Sequence, residues 1–484
     1  MKDEKIIHNK ELSIWEALLP VIILVALLAF NVFVYGDDSL GGSNQFILLI
    51  GGAIAAIVGV FNKVKFDRML EEVANNIKST SGAILILLFV GALAGTWLIS
   101  GVIPAMIYYG LQILSPSYFL AACVIICSII SVATGSSWTT SATVGIALVG
   151  IGGALGISAG MTAGAVISGA YFGDKMSPLS DTTNLAPAMA GTDLFTHIRY
   201  MSLTTVPTMI VTLILFTIIG LNLDTTTIPD TGSLLSAIEE SFIITPWLFI
   251  VPVVVILLIL KKAPPLMALL VGTLLAAVFA LVFQPEIVMG ITNSQELNLI
   301  NAYQGVMNAI TVETKITTSN EILNGLFTAG GMYGMLGTIW LILCAMVFGG
   351  IMDAIGALSK ISKTLLNAFD SIFGLFASTV ASCLALNLTA SDQYLAIVVP
   401  GKMYAQAYKE KNLAPENLSR TLEDSGTVTS VLVPWNTCGA YQSSVLGVDT
   451  TAYIGYAFFN YLSPFTTLLF AAFQIKIKQL TQKK

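Results

Sequence analysis

The sequence predicts an all-α polytopic membrane protein built from two inverted-topology repeats, each with a re-entrant hairpin and a discontinuous helix. The expected count is about ten crossings plus two hairpins. Three observations lead there: long apolar runs in a chain poor in charge, an alternation of basic and non-basic loops, and an internal echo between the halves. Of 484 residues, 55% are hydrophobic and 10% charged, with a mean hydropathy of +0.84. An ordinary soluble chain is about a quarter charged.

The apolar runs come at 13–35, 45–61, 82–100, 200–220, 243–260, 265–283, 325–350 and 450–473. Each is long enough to cross a hydrocarbon core, which takes roughly 17 to 25 residues. The opening "MKDEKIIHNKELSIWEALLP" is charged up to Glu16 and has no small-residue cleavage site. The first run is therefore expected to be a retained helix rather than a signal peptide.

Loop charge sets the orientation, because Lys and Arg in short loops mark the cytoplasmic side. Basic residues stand at Lys2, Lys5 and Lys10, in "NKVKFDRMLEEVANNIKS", at Arg199, at Lys261 and Lys262, at Lys360 and Lys363, and at Lys476, Lys478, Lys483 and Lys484. The segments between them, "GDDSLGGSNQ", "NLDTTTIPDTGS" and 285–322, are poor in Lys and Arg. Both termini are expected in the cytoplasm, with the chain multi-pass in the cell membrane.

A weak repeat appears at a spacing of 255–256 residues. Gly95, Gly101, Thr134 and Ser136 match Gly350, Gly356, Thr389 and Ser391; Pro178, Asp193, Ile198 and Tyr200 match Pro434, Asp449, Ile454 and Tyr456. Loop charge starts the first half inside and the second outside. Homologous halves inserted in opposite directions are the plan of many secondary transporters. The division is a first repeat at 1–221, an external linker at 222–242 and a second repeat at 243–484.

Two places per half interrupt the helical pattern. "SVATGSSWTTSATVG" (131–145) and "LNLTASDQYLAIVVPG" (386–401) read as hairpin tips; "YFGDKMSPLSDTTNLAP" (171–187) and "TVTSVLVPWNTCGAY" (427–441) read as broken helices. Loop charge does not separate a re-entrant hairpin from two full spans, so twelve or more spans is the rival count. Irregular backbone at membrane depth is tolerated only where protein or a watery cavity receives its polar groups.

These interruptions hold the candidate binding residues. The first half offers Thr134, Ser136 and Ser137 at the tip, and Asp174, Ser180, Asp181, Thr182 and Asn184 around Pro178. The second offers Thr389, Ser391 and Asp392 at the tip, facing Asn436 and Thr437. A proline within a helix frees the carbonyl about four residues back, here near Asp174. Such carbonyls, hydroxyls and carboxylates are the hard oxygens from which midplane Na⁺ sites are built. Asp181, Ser136 and Thr182 are the expected Na⁺ ligands. A carboxylate that holds H⁺ or Na⁺ but not both suffices for exchange. Asp174, Asp181, Asp392 and the pair Glu423–Asp424 are the candidates, since ionisable groups at membrane depth are functional by default.

Structural alternatives stand beside these. Asp174 and Lys175 would also suit a loop end, with Lys175 a counter-ion. Asp181 would also suit an N-cap, and a cap can still bind an ion. Asp193 and Asp449 read as caps of the helices after them. Glu423 and Asp424 would also suit the membrane surface near Arg420. Trp138 and Trp435 either line a cavity or pack beside the breaks.

Other chemistry is not expected. His8 and His197 are the only histidines, too few for a His-rich metal site or a His-based triad. No Gly-x-x-x-x-Gly-Lys loop points to ATP. Cys123, Cys127, Cys344, Cys383 and Cys438 lie in apolar segments without metal-ligand spacing. No nucleophile–base set points to an enzyme, and no cofactor or nucleic-acid partner is implied. A homo-oligomer is compatible with the chain.

"GAYFGDKMSPLSDTTNLAP", "GTDLFTHIRY", "SVATGSSWTT", "GTWLISGVIPAMIYYGL" and "GTVTSVLVPWNTCGAY" together resemble the NhaC family of Na⁺/H⁺ antiporters and its close relative, the malate/lactate antiporter. The resemblance implies secondary Na⁺/H⁺ exchange, paired re-entrant hairpins and broken helices. It leaves open a Na⁺- and H⁺-coupled exchanger of small carboxylates or another organic or amino acid. That rival requires an anion pocket, which Lys175 or the helix start at "TGSSW" would supply. Few basic residues lie at membrane depth, which favours plain cation exchange. A passive channel is a further alternative. Asp392 stands where the 255-residue register puts Ser137, an asymmetry consistent with a proton site in one half only.

Overall fold

The computed structural model describes residues 12–35, 41–223, 231–368 and 370–480. Lys2, Lys5, His8, Lys10, Lys483, Lys484 and parts of the loops at 36–40 and 224–230 lie outside the described residues, as does part of the proposed linker.

The first half runs through α1 (Ile14–Tyr35), α2 (Ser43–Phe61), α3 (Phe66–Ile99), α4 (Val102–Ile113) and α5 (Pro116–Thr134). It continues with α6 (Ser137–Thr140) and α7 (Ile146–Ala154), joined by a π turn at Ser141–Gly145, and then α8 (Ala159–Met176), α9 (Asp181–Ala190) and α10 (Leu194–Leu221). At 34 residues, α3 is about 51 Å long. It outreaches a core of about 30 Å, so its charged first turns stand clear of the apolar layer.

Next come α11 (Thr231–Ser241), α12 (Ile250–Leu260), α13 (Pro265–Phe283), α14 (Pro285–Thr292), α15 (Leu299–Thr311), α16 (Glu321–Leu326), α17 (Gly331–Gly334) and α18 (Leu336–Ala354). A two-stranded antiparallel ribbon, β1 (Thr314–Lys315) with β2 (Thr328–Ala329), and an isolated bridge between Leu413 and Gln479 depart from an all-α plan. The chain ends through α19 (Ala357–Leu366), α20 (Ile372–Thr389), α21 (Gln393–Glu410), α22 (Pro415–Leu422), α23 (Thr437–Leu446), α24 (Thr450–Tyr453) and α25 (Phe458–Ala472). A π turn at Glu423–Thr427 and a 3-10 turn at Ser430–Leu432 follow α22.

Among the described residues, eight helices are long and apolar enough to cross a membrane: α1, α2, α3, α5, α10, α13, 331–354 and α20. The pair 231–241 and 246–260, bent by 86°, would make a ninth. The apolar run at 450–473 is not among them, because the structure divides it into α24 (Thr450–Tyr453) and α25 (Phe458–Ala472).

Local conformation recurs at a constant interval. The starts of α5, α6, α8, α9 and α10 reappear as those of α20, α21, α22, α23 and α24, each 256 residues on (393 − 137 for α21 and α6). Gly135 and Ser391 both take the left-handed conformation before a tip, and Gly191 and Gly447 take it after α9 and α23. At the tips the register is therefore 256, not 255. It pairs Ser136 with Asp392, each the N-cap of the helix it starts, and corrects the pairing of Asp392 with Ser137. Gly101 and Gly356, both left-handed before α4 and α19, keep 255, so the extra residue lies between Gly356 and α20.

Close backbone approach seats α8 on α5. A Cβ at Gly173 would stand 2.5 Å from Ser131 Cβ and 2.6 Å from Ser128 O, a small-residue contact of the kind that lets membrane helices touch. Ser131 Oγ donates to Ala170 O at 2.6 Å across the same seam.

Candidate functional site

The first tip is fastened to the first break by one side chain. Gly135 turns the chain after α5, and Ser136 Oγ then accepts the Thr139 N–H at 3.2 Å. This cap aims the next residue at α8: Ser137 donates to Asp174 Oδ2 from its hydroxyl at 2.6 Å and its N–H at 3.2 Å. Asp174 is 5% exposed, and its Oδ1 has no hydrogen-bond partner among the described residues.

The break after α8 closes on itself. Asp174 O accepts from Ser177 N–H at 3.1 Å and Thr183 Oγ1 at 3.2 Å, and Thr183 Oγ1 also reaches Lys175 O at 3.1 Å. Asn184 Nδ2 donates to Pro178 O at 3.0 Å and Ser180 O at 2.6 Å. The carbonyls expected to be free for an ion are thus taken by side chains of the following helix, and Asn184 serves the turn. Ser180, not Asp181, is the N-cap of α9, with Thr182 Oγ1 3.1 Å from its hydroxyl. Asp181 is left exposed, with Oδ2 accepting from the Tyr394 hydroxyl of the second half.

The second tip repeats this with different groups. Asp392 Oδ1 accepts the Leu395 N–H at 2.9 Å, while Thr389 Oγ1 turns back to Ala385 O at 2.8 Å. Ser391 O accepts the Thr437 N–H at 3.0 Å, joining tip to break. Asn436 caps α23 through the Cys438 N–H at 3.0 Å and donates to Asn387 O at 3.1 Å. Trp435 Nε1 donates to Leu388 O at 2.9 Å. Trp138 stacks on Tyr441 with centroids 3.9 Å apart.

Both tips and the first break open on one cavity of about 490 Å³. Thr134, Ser136, Ser137, Asp174 and Asp181 line it from the first half, and Asp392 and Thr437 from the second. Gln393, Tyr394 and Trp138 also face it, and the wall opposite is Ser79, Thr80, Ile86 and 259–265, including Lys262. Ser180, Thr182, Asn184, Thr389, Ser391 and Asn436 are not part of the lining. A second, more apolar cavity of about 620 Å³ lies beyond the other break, lined by Pro434, Trp435, Asn44 and Gly337. The first cavity meets the middle of α3, at residues 79–86, and the second meets the start of α2.

A second polar cluster lies behind the first. Lys175, wholly buried, forms an ion pair with Asp424, whose Oδ2 accepts from Thr204 Oγ1 at 2.8 Å and from Thr467. Glu423 and Asp424 are fully buried rather than at the surface, and Arg420 is buried with its guanidinium 4.7 Å from the Tyr200 ring. His197 Nδ1 meets Ser419 Oγ at 2.8 Å. Asp193 lies before α10 and outside any span. The Thr196 hydroxyl and N–H hold its carboxyl below the ordinary value.

No group of three or more His, Cys, Asp or Glu is placed to hold a metal ion among the described residues. The cavity instead offers hydroxyls and carboxylates, the donor set of hard cations.

A family model described as "Na+/H+ antiporter family" matches residues 169–475. The chain is 36% identical over 462 residues to the "Na(+)/H(+) antiporter NhaC" of Alkalihalophilus pseudofirmus, covering 96% of each. It is 35% identical over 447 residues to the "Malate-2H(+)/Na(+)-lactate antiporter" of Bacillus subtilis, covering 91% of this chain and 90% of that one. To the "Arginine/ornithine antiporter ArcD" of Halobacterium salinarum it is 34% identical over 466 residues, covering 95% and 92%.

Proposed function

Because the chain belongs to the Na⁺/H⁺ antiporter family, we propose that it exchanges Na⁺ for H⁺ across the cytoplasmic membrane by alternating access. The observation that carries this reading is the cavity where Asp174, Asp181 and Asp392 converge with the hydroxyls of Ser136 and Ser137. Three carboxylates against one lysine favour cations. Na⁺ binds between Ser136, Ser137 and Asp181, with Thr182 behind them, and Asp174 or Asp392 carries the exchanged proton. Lys262 of a basic loop lines the cavity, which supports an opening toward the cytoplasm. The recurrence at 256 residues supports two inverted repeats (1–221 and 243–484, linked by 222–242), with tips that re-enter the membrane and both ends inside.

A second reading is exchange of a small carboxylate or amino acid coupled to the same ions. The cavity volume favours it. Water occupies about 30 Å³ per molecule in the liquid, so about 490 Å³ exceeds the need of a bare ion, and Lys262 supplies a cationic wall.

The test is purified protein in liposomes with an acid interior and a pH-sensitive dye. Na⁺ added outside collapses the gradient on the first reading, and K⁺ does not. If nothing moves until malate, lactate or an amino acid is present, the second reading replaces it. Asp181→Asn abolishes Na⁺-dependent H⁺ movement; wild-type exchange in that variant removes Asp181 from the site.

A further inference from the structure

The cavity leaves unused the most deeply buried charges of the molecule. Lys175, Arg420, Glu423 and Asp424 are wholly buried, and none lines the cavity. Lys175 and Asp424 neutralise one another, and Asp424 has two threonine hydroxyls besides. Arg420 lies over the rings of Tyr200 and Phe470, 4.7 and 5.8 Å away. Glu423 differs from Lys175 and Asp424 and resembles Arg420, whose guanidinium nitrogens also have no hydrogen-bond partner among the described residues. Neither carboxyl oxygen of Glu423 has a hydrogen-bond partner among the described residues, nor has the hydroxyl of Thr427 one turn on.

Glu423 opens the π turn Glu423–Thr427, a distortion that recurs at functional sites. The charged and titratable groups that face it are Lys175 and Asp174 from α8, Asp424 beside it and Cys383 from α20. Elsewhere α21 meets this turn through Ala396 and Ile397 at Gly426, and α25 through Thr467. An ionised carboxylate without a donor is far costlier to bury than a neutral carboxyl, and Lys175 is already committed to Asp424. The resting form of Glu423 therefore carries a proton. Na⁺ between Ser136, Ser137 and Asp181 lies beside Asp174, the residue next to Lys175, and adds positive charge near this cluster. Proton and Na⁺ then oppose each other through Coulomb repulsion.

We propose that Glu423 is a proton-binding residue of the exchange, placed by the Lys175–Asp424 pair beside it, and that its proton and the Na⁺ in the cavity displace one another. This rests on the Na⁺/H⁺ reading above. One proton leaves the carboxyl O–H for water as one Na⁺ enters, so the charge of the cluster is conserved.

The experiment measures initial uptake of radiolabelled Na⁺ by full-length protein in liposomes over a range of pH, for wild type, Glu423→Gln and Glu423→Asp. Each competing proton raises the KM for Na⁺ about tenfold per pH unit of acidification. The slope of log KM against pH falls by one proton in Glu423→Gln and is kept in Glu423→Asp, while both variants still exchange labelled for unlabelled Na⁺. A wild-type slope in Glu423→Gln overturns the proposal. So does loss of Na⁺/Na⁺ exchange in both variants, which would make the residue structural or a Na⁺ ligand. If a pH gradient drives no Na⁺ uptake in the wild type, the exchange reading itself fails.

Discussion

Replacing Lys175 by Met leaves Asp424 ionised in a wholly buried site with only the hydroxyls of Thr204 and Thr467. Breaking a buried pair from one side costs about 3–5 kcal/mol, because the remaining charge has neither water nor partner. Asp424→Leu, which strands Lys175, costs about the same. Removing both charges together leaves no unpaired ion. Thr204 keeps Met201 O at 3.1 Å, and Thr467 loses an acceptor, which with imperfect packing totals about 1–3 kcal/mol. The coupling between the sites is therefore at least about 3 kcal/mol. Unfolding entropy of about 2.1 cal/mol/K per residue gives about 1 kcal/mol/K for 484 residues. Each single variant then melts about 3–5 °C below wild type, and the double variant melts above either one. Thermal unfolding in detergent, followed by tryptophan fluorescence, reads the order. A double variant whose loss equals the sum of the singles refutes the reasoning, since the two charges would then not interact.

Three other substitutions separate packing from backbone strain and from capping. In Gly173→Ala the new Cβ meets the Ser128 carbonyl and Val132 nitrogen at 2.6 Å; these are backbone atoms that cannot swing away. The change pushes α8 off α5, draws Asp174 from Ser137 and lowers exchange about tenfold or more, read by dye quenching. Its control, Gly356→Ala, enters open space at φ +79° and costs only the left-handed strain of about 1–2 kcal/mol, lowering the melting point while KM for Na⁺ stays put. Asp193 is held below its ordinary value of 3.8 by Thr196. Its contribution to stability is complete above about pH 3.8 and is lost as pH falls through the lowered value. Asp193→Ala thus lowers the melting point at neutral pH and flattens its fall in acid, checked by melting curves from pH 2 to 7.

The sequence showed the breaks because each is a local event. Pro178 and Pro434 interrupt helices by their own chemistry, and Gly135 marks a turn by its freedom at positive φ. The echo was legible for the same reason, although its register slipped by one at the tips, where Ser391 takes a left-handed turn that glycine takes in the first half. What stayed hidden was long-range. Asp424 is 249 positions from Lys175, and no periodicity marks a partner at that distance, so a surface place for Glu423 and Asp424 was an equal alternative. Asn184 read as a binding residue, since an amide type does not disclose that neighbouring carbonyls need it first. Tyr394, which binds Asp181, carried no sequence signal at all.

These cross-half contacts bear on how the proposed exchange moves. Lys175 with Asp424, Tyr394 with Asp181, and the Tyr441 hydroxyl on Trp138 O at 3.0 Å each join a segment of one half to a segment of the other. Opening the site by parting the halves would break a buried ion pair, which costs about 3–5 kcal/mol, and two hydrogen bonds besides. The opposite wall of the cavity is apolar at Ala83, Ile86, Ile259, Ala263 and Pro265 and polar at Ser79, Thr80 and Lys262. Sliding along it exchanges one set of dispersion contacts for another, each worth only about 0.1–0.2 kcal/mol per atom pair. The low-cost surface of movement therefore runs between the tips and that wall. For the proposed exchange, the cross-half contacts therefore favour a movement that keeps the broken helices of both halves together.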